Sequence, residues 1–258
     1  MIGFDLLGRY GQLGNQMFQY AALRGIAAHR GFEFCIPRSS FRDRMRHHQL
    51  FEAFKLAGLQ HVRLVLEPVV QEKHFQFDRD LFENVPDNRN ILGFLQSEKY
   101  FAHIADEIRR DFQFKDDIAE HCVQLLEGLD DPVSLHVRRG DYVNSVNFRL
   151  CPREYFDMAL SHFENDRPVL VFSDDPDWCR REFQGPRFTI CSGNDNVTDM
   201  CLMSLCRAHI IANSSFSWWG AWLANSNTVF APKDWFGTQG YTAAHETSDL
   251  IPERWTRI

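Results

Sequence analysis

The chain has 258 residues, of which 44% are apolar and 24% are charged. These proportions are typical of a soluble globular protein and exclude fibrous, collagen-like and low-complexity classes. The formal net charge is -7 at pH 7, which argues against a nucleic acid or an anionic membrane surface as the main partner. The length suits one large domain or two smaller ones with a sizeable core.

The sequence shows no targeting segment. Its start lacks the basic residues and long apolar run of a secretory signal, and no stretch approaches the roughly 18 apolar residues of a membrane span. We therefore expect a cytoplasmic protein, with association at the inner face of the membrane as an option. The seven cysteines are scattered without a Cys-x-x-Cys pair, which favours reduced, mostly buried thiols over a metal or disulfide role.

The first part of the chain predicts a β-α-β unit. An apolar run over residues 2–7 predicts a strand, a glycine loop follows, and a helix then ends at Gly31. Residues 32–37 predict a second strand. The pattern over residues 39–82 is less regular and indicates a polar loop, a short helix, and a strand over residues 61–70.

Residues 90–95 predict a further strand before a helix. Ser97 can cap that helix, which carries Tyr100, Ile104 and Ile108 on one face. The polar segment over residues 127–132 is the predicted boundary between two domains.

The predicted domains cover residues 1–129 and 130–258. In the second, strands are predicted at residues 133–137, 169–172, 209–212 and 228–231, with helices at 152–163, 198–206 and 216–223. Strands that alternate with helices predict an α/β fold with a mostly parallel sheet, and the two runs predict two Rossmann-like halves.

The densest polar pattern is HVRRGDY over residues 136–142, directly after a predicted buried strand. Open α/β sheets bind ligands at this end of their strands. Two adjacent arginines need an anionic partner, because an unpaired guanidinium is costly to desolvate. A diphosphate meets that need, and arginine can neutralise the charge on a departing pyrophosphate. The alternative is a structural network in which Arg138 pairs with Asp141 or another acid.

Two further patterns follow predicted strands. NSSFSWWG over residues 213–220 offers good helix caps, and the first N–H groups of such a helix form a natural phosphate site. An ordinary cap before an aromatic packing helix is the alternative. Residues 173–175 are Ser-Asp-Asp and follow a predicted strand. Acidic residues in this position often accept hydrogen bonds from ribose hydroxyls or a base edge. Solvent-facing loop acids are the alternative here.

The glycine loop GQLGNQ over residues 11–16 opens the first helix. It matches neither a Walker loop nor GxGxxG, so it supports neither an ATPase nor a dinucleotide fingerprint. Its amides and the Asn15 side chain could still approach a ligand. Asp-x-Asp patterns occur at residues 78–80 and 175–177, but such patterns arise often by chance, so we expect no metal site. The two histidines at residues 47–48 are expected to lie on the surface.

Four blocks together resemble the α-1,2-fucosyltransferases of glycosyltransferase family 11. They are GQLGNQMFQYA, HVRRGDY, VFSDD and IIANSSFSWWGAWL, which run in family order over most of the chain. The resemblance implies a GT-B-like fold: two Rossmann-like domains with a cleft between them, the first on the acceptor side and the second for GDP-fucose. It also implies inverting transfer of L-fucose from GDP-β-L-fucose to a galactoside hydroxyl, for a surface glycan or O-antigen, without a metal or other cofactor.

The resemblance also implies roles for single residues. Arg138 would bind the donor pyrophosphate and stabilise the leaving GDP, Arg139 would assist, and Asn15 would contribute from the other domain. The implied donor-binding residues are His136, Asp141, Tyr142, Ser173, Asp174, Asp175, Asn213, Ser214, Ser215, Phe216, Ser217, Gly11, Gly14 and Gln16. One departure is Gly11-Gln12, where the family more often has paired glycines.

Two alternatives stay open. One is a fucosyltransferase that makes an α-1,6 or α-1,3 linkage, and the other is a catalytically silent carbohydrate- or nucleotide-binding protein. The residues indicate no general base. Acceptor contacts are expected within residues 39–90 and 233–246. The aromatic candidates for stacking on a sugar are Phe75, Phe77, Trp235 and Tyr241, for most of which core packing is the expected role.

Overall fold

The computed structural model describes residues 1–37, 49–56 and 66–258. The chain forms two compact units. The first comprises Met1–Lys115 and His245–Pro252, and the second comprises Asp116–Ala244 and Glu253–Ile258. The predicted surface histidines at residues 47–48, and the first half of the strand predicted over residues 61–70, lie outside the described residues.

The first unit is built on a four-stranded parallel sheet. Its elements are β1 (Ile2–Gly3), α1 (Leu13–Arg30), β2 (Phe34–Cys35), α2 (Leu50–Ala53), β3 (Val69–Gln71), α3 (Arg79–Asn84), β4 (Arg89–Leu92), 3₁₀ turns at Glu98–Tyr100 and Ala102–Ile104, and α4 (Ala105–Asp111). The strand order is β2-β1-β4-β3. Because β1 and β4 are parallel neighbours, the loops that follow these two strands leave the sheet side by side.

Helix α1 carries the core of the first unit. Its side chains from Met17 to Leu23 are buried, and Tyr20 donates a hydrogen bond to Asp111 Oδ2 at 2.6 Å. The helix ends at Gly31, whose φ of 68° lies in the left-handed region that favours glycine. The predicted helix stop is therefore confirmed.

The second unit is built on a six-stranded parallel sheet. Its elements are α5 (Asp116–Leu125), β5 (Val133–Val137), a 3₁₀ turn at Gly140–Tyr142, α6 (Arg153–Leu160), β6 (Val169–Ser173), α7 (Pro176–Glu182), β7 (Phe188–Ile190), α8 (Asn196–Leu205), β8 (Ala208–Ile210), α9 (Ser215–Leu223), β9 (Thr228–Ala231) and β10 (Thr256–Arg257). The order β7-β6-β5-β8-β9-β10 is that of a Rossmann sheet. The order reverses between β5 and β8, which are paired neighbours.

The core of the second unit lies around the central strands. All five residues of β5 are buried, and α6 packs Tyr155 and Phe156 into the same cluster. Tyr155 Oη donates to the carbonyl oxygens of Ile211 and Phe230 at 2.7 and 3.0 Å. The aromatic packing helix that the sequence left as an alternative is present as α9, whose three tryptophans are at most 1% exposed.

Predicted elements of the first unit differ from the structure in their bounds. The strand predicted over residues 2–7 ends at Gly3, because Asp5 accepts a hydrogen bond from Asn90 Nδ2 at 2.8 Å and the chain then turns. The helix predicted from Ser97 is two 3₁₀ turns followed by α4, although Ser97 does cap the first turn.

The sequence reading of the second unit missed α5, α7, β7 and β10. Helix α5 packs against α8 and therefore lies in the second unit, ahead of the boundary predicted between residues 129 and 130. In the part of the chain that the structure describes, no helix combines the length and apolar character that a membrane span needs.

Gly25 provides a test of the packing of the first unit. A Cβ at this position of α1 would lie 2.0 Å from the backbone oxygen of Tyr100. Gly25→Ala should therefore lower the free energy of unfolding by about 1–3 kcal/mol, although alanine is the better helix former. Urea denaturation measures this change. Ala28→Gly, at an exposed position of the same helix, is the control and should cost about 1 kcal/mol. A Gly25→Ala protein more stable than the wild type would contradict the packing.

Candidate active site

One carboxylate holds both consecutive arginines. Arg138 and Arg139 follow β5, and Asp174 follows β6, the neighbouring strand. Asp174 Oδ2 lies 2.8 Å from Arg138 Nη1, and Asp174 Oδ1 accepts the backbone N–H of Arg139 at 2.8 Å. Arg138 also forms an ion pair with Asp141. The network that the sequence left as an alternative is therefore present, and it fixes the plane of the guanidinium at the edge of the sheet.

Gly140 makes this arrangement possible. A Cβ at this position would lie 2.5 Å from Asp174 Oδ2, which is closer than side chains approach. Any larger residue would push the carboxylate away from the arginines. The glycine within HVRRGDY thus has a steric reason that the sequence analysis missed.

Arg139 is held by the start of α7. Its Nε donates to Asp175 Oδ2 at 3.1 Å, and its guanidinium carbon lies 4.4 Å from the ring centroid of Trp178. The backbone N–H of Trp178 donates to Asp175 Oδ1 at 3.0 Å, which caps the helix and, with Arg139, lowers the pKa of Asp175. Trp178 was missed by the sequence analysis. Its position three residues after an acidic cap was the available signal.

Ser214 caps α9, which follows β8. Its Oγ accepts the backbone N–H of Phe216 at 3.3 Å. The first turn of α9 contains no acidic residue, whereas the first turn of α7 does. No carboxylate within the first turn of α9 therefore offsets the partial positive charge at the amino terminus of this helix. Such a helix terminus is suited to an anion. Ser214, Ser215 and Phe216 are partly exposed there.

His136 connects β5 to α9 below the surface. Its Nδ1 lies 2.9 Å from Ser217 Oγ, and both residues are buried. Burial, with a smaller effect of Arg138, lowers the pKa of His136 to about 3. The imidazole is therefore neutral near pH 7. His136 and Ser217 support the arginines and the cap of α9 from inside the protein.

Asn213 and Tyr142 also support the site. Asn213 is 1% exposed, and its Nδ2 donates to the carbonyl oxygens of Arg149 and Trp235 at 2.7 and 2.8 Å. Tyr142 stacks on Phe148, with ring centroids 4.3 Å apart, and its Oη donates to the carbonyl oxygen of Asn213 at 3.3 Å. These contacts join the loop after β5 to the loop after β8.

The predicted glycine-loop residues lie in the first unit. Gly11 has a φ of 86°, and Gly14, Asn15 and Gln16 are in the first turn of α1. The Gln16 amide is buried, with Nε2 donating to Gly11 O at 3.3 Å and Oε1 accepting the N–H of Gln49 at 3.1 Å. Contact of these four residues with a donor stays a prediction. Ser173, Asp174 and Asp175 lie in the second unit, and their contact with ribose or guanine is likewise a prediction.

The two Asp-x-Asp patterns have separate local roles. Asp78 caps α3 by accepting the N–H of Leu81 at 3.1 Å, and Asp80 pairs with Lys73 at 2.6 Å. Asp177 pairs with Arg180 at 2.5 Å. Within the described ranges, no group of three or more His, Cys, Asp or Glu residues could hold a metal ion. All seven cysteines lie in those ranges as free thiols, five of them buried, as the sequence predicts.

The four aromatic candidates for sugar stacking divide into two groups. Phe77 packs on Tyr100 with centroids 4.9 Å apart, and Trp235 is 5% exposed, so core packing is confirmed for both. Phe75 stacks on His245 in the first unit. Tyr241 is 68% exposed.

The second unit thus presents two oriented guanidinium groups and the start of α9 where its strand order reverses. A Rossmann-order sheet with cationic groups at this point is suited to a nucleotide diphosphate. Together with the α/β architecture, these features agree with the expected GT-B class.

Solved structures confirm this fold. The NodZ α-1,6-fucosyltransferase from Bradyrhizobium, in crystals soaked with GDP-fucose, matches with a TM-score of 0.54 over 86% of this chain and 92% of that chain, at 16% sequence identity. At this identity the likeness shows the fold. The predicted α/β, GT-B-like class is therefore correct.

The model of glycosyl transferase family 11 matches residues 7–257, and the chain belongs to that family. The α-1,2-colitosyltransferase of Escherichia coli is 30% identical over 287 residues, which cover 96% of this chain and 96% of that protein. The galactoside 2-α-L-fucosyltransferase SEC1 of Bos taurus is 28% identical over 250 residues, which cover 88% of this chain and 66% of that protein. The chain is a fucosyltransferase-like glycosyltransferase.

The neutral His136 predicts a pH dependence of stability. The unfolded chain binds a proton on this imidazole near its usual pKa of about 6.5, whereas the folded protein does so only near 3, so stability falls as the pH drops through this range. Between pH 7 and pH 5 the free energy of unfolding of the wild type should fall by about 2 kcal/mol more than that of His136→Asn. The asparagine keeps a polar group beside Ser217. Urea titrations of both proteins at the two pH values measure the difference. Equal losses would show that His136 is not buried as a neutral group.

Proposed function

We propose that the chain transfers L-fucose from GDP-β-L-fucose to a galactoside hydroxyl, with inversion and formation of an α-1,2 linkage, in the synthesis of a surface glycan or O-antigen. The observation that carries the proposal is the Arg138-Arg139 pair, held by Asp174 at the end of β5, whose neighbour β8 leads into α9. Family membership and the α-1,2 chemistry named for both relatives support it.

The reaction breaks the bond between fucose C1 and the β-phosphate oxygen. The acceptor oxygen forms a new bond to C1 from the opposite face and loses its proton, while the bonding electrons leave with GDP. Positive charge grows on the sugar ring and negative charge grows on the diphosphate. Fixed cationic groups and N–H donors therefore gain strength as the bond breaks.

In our proposal, Arg138 is the main group that stabilises the negative charge on the leaving diphosphate. Its two ion pairs, through Nη1 to Asp174 and through Nη2 to Asp141, use part of the five N–H donors of the guanidinium. The same pairs hold the planar fork in place before the donor arrives, so little reorganisation is needed during bond cleavage. Arg139, held by Asp175 and Trp178, assists from the adjacent position.

The start of α9 supplies the neutral donors. In the proposal, Ser214 and Ser215 contact the β-phosphate together with the first N–H groups of the helix. Ser217 acts through His136 and the cap, because its hydroxyl is buried. Transfer proceeds without a metal ion, since arginine and helix-terminus donors supply the charge stabilisation.

One relative favours a second donor. The chain is 30% identical to an α-1,2-colitosyltransferase, and colitose is fucose without its 3-hydroxyl group. The diphosphate site described above would serve either GDP-sugar equally. Comparison of kcat/KM for GDP-fucose and GDP-colitose decides between them, and linkage analysis of the product separates α-1,2 from α-1,6 or α-1,3 transfer.

Arg138→Ala tests the proposal directly. Loss of one charge-stabilising contact typically costs a factor of about 10² to 10³ in rate, so transfer should fall by at least that much in a folded protein. GDP release is measured in the presence of EDTA, with each GDP-sugar, with and without β-galactosides such as lactose. Arg180→Ala is the matched control, because Arg180 makes a helical ion pair with Asp177 and is half-exposed. It should keep wild-type turnover.

The outcomes separate the candidate functions. Acceptor-stimulated GDP release that disappears only in Arg138→Ala supports the proposed transfer. Wild-type turnover in Arg138→Ala would exclude the assigned role of this residue. Donor binding without release under any condition would favour a silent binding protein. Loss of activity in EDTA that returns with a divalent cation would overturn metal independence.

A further inference from the structure

The first unit has its own polar cluster beyond the carboxyl ends of the neighbouring strands β1 and β4. The loop after β1 leads into α1 and Asn15, and the loop after β4 leads to Gln96. Gln96 Nε2 donates to Asn15 Oδ1 at 2.8 Å, and Gln96 is only 7% exposed. A buried amide therefore meets the side chain that the family resemblance singles out in this unit.

The pairing involves a defined orientation of the Asn15 amide. Its oxygen accepts from Gln96, and its NH₂ group lies on the side of Gly11. A Cβ at Gly11 would lie 2.0 Å from Asn15 Nδ2, so a glycine is needed there for the amide to take this position. The backbone of Gly11, with φ 86°, also favours glycine.

Glu72 holds the loop that carries Gln96. It follows β3, and its Oε2 accepts the consecutive backbone N–H groups of Phe94 and Leu95 at 3.0 and 3.1 Å. Leu95 has a φ of 54°, a conformation that a leucine rarely adopts without such support. At Gly93, a Cβ would lie 2.6 Å from Glu72 Oε2, so the carboxylate fills the space that a larger residue would need.

This anchor explains why β4 is shorter than predicted. Residues 90–95 (NILGFL) have the pattern of one continuous strand, but the strand ends at Leu92, and the Glu72 carboxylate accepts the N–H groups of Phe94 and Leu95 beyond it. Burial raises the pKa of Glu72 to about 7. The groups that face it are Tyr100, whose Oη lies 3.3 Å from Oε1, and Asp78. The fold keeps a carboxyl group here despite a desolvation cost.

We propose that Gln96 is a positioning residue that orients the Asn15 amide for the transfer reaction, and that Glu72 sets the loop conformation that brings Gln96 to Asn15. The inference rests on the proposed function, in which Asn15 contributes to catalysis. In this inference a series of hydrogen bonds connects Glu72 to the loop over residues 93–96, and Gln96 of that loop to Asn15.

The test is a double-mutant cycle on kcat and KM with GDP-fucose and the best acceptor. Asn15→Ala and Gln96→Ala should each lower kcat by about 10- to 100-fold, because misplacement of a group by about 1 Å has costs of this size. The double variant should be no slower than Asn15→Ala, since Gln96 acts through Asn15. KM for the donor should change much less than kcat.

Two substitutions separate positioning from simple loss of packing. Gln96→Glu keeps the size but presents an acceptor, which repels the Asn15 oxygen, so it should be at least as slow as Gln96→Ala. Glu72→Gln keeps an oxygen for the two N–H groups and should retain kcat. The kcat of Glu72→Met should fall to that of Gln96→Ala. Gln184→Ala, which removes an exposed amide from the second unit, is the control. Melting curves identify any variant that fails to fold, and Gln96→Met replaces Gln96→Ala if the latter does.

Each outcome bears on a different claim. Wild-type kcat in Asn15→Ala would remove the proposed catalytic role of Asn15, and the inference with it, while the Arg138→Ala result would still stand. Loss of kcat in Asn15→Ala with wild-type kcat in Gln96→Ala would overturn the inference alone. Multiplicative losses in the double variant would also overturn it, because Gln96 would then act independently of Asn15.

Discussion

In each parallel sheet the carboxyl ends of two central, paired strands lie side by side, and this constraint determines where polar groups can gather. The loops that follow two such strands leave the same edge of the sheet next to each other, so the side chains beyond them can meet. In the second unit these strands are β5 and β8, followed by Arg138 and Ser214. In the first they are β1 and β4, followed by the loops that carry Asn15 and Gln96.

In both units, carboxylates and a buried histidine hold neighbouring polar groups in place. Asp174 uses both carboxylate oxygens on consecutive arginines, and neutral His136 supports the start of α9 through Ser217. Glu72 uses one oxygen on consecutive N–H groups in a similar way. A site fixed in this manner needs little rearrangement when charge develops, which is the most effective form of electrostatic stabilisation in enzymes.

The sequence predicted the second unit better than the first, and the reason is physical. β5 (VSLHV) and β9 (TVFA) are short, largely buried runs, and their bounds agree with the prediction. The strands predicted at residues 2–7 and 90–95 end early, because Asp5 accepts a hydrogen bond from Asn90 and Glu72 accepts the N–H groups of Phe94 and Leu95. A local pattern cannot show a partner that lies 22 to 85 residues away. For the same reason, the stacking of Trp178 on Arg139 and the contact of Gly140 with Asp174 appear only in the folded chain.

The central claim is that the donor diphosphate binds where the order of the second sheet reverses. A crystal structure of the protein with GDP tests it most directly. The account predicts that the β-phosphate lies within hydrogen-bonding distance of the Arg138 guanidinium and of the first N–H groups of α9. A well-ordered GDP whose diphosphate contacts neither Arg138 nor the start of α9 would contradict it.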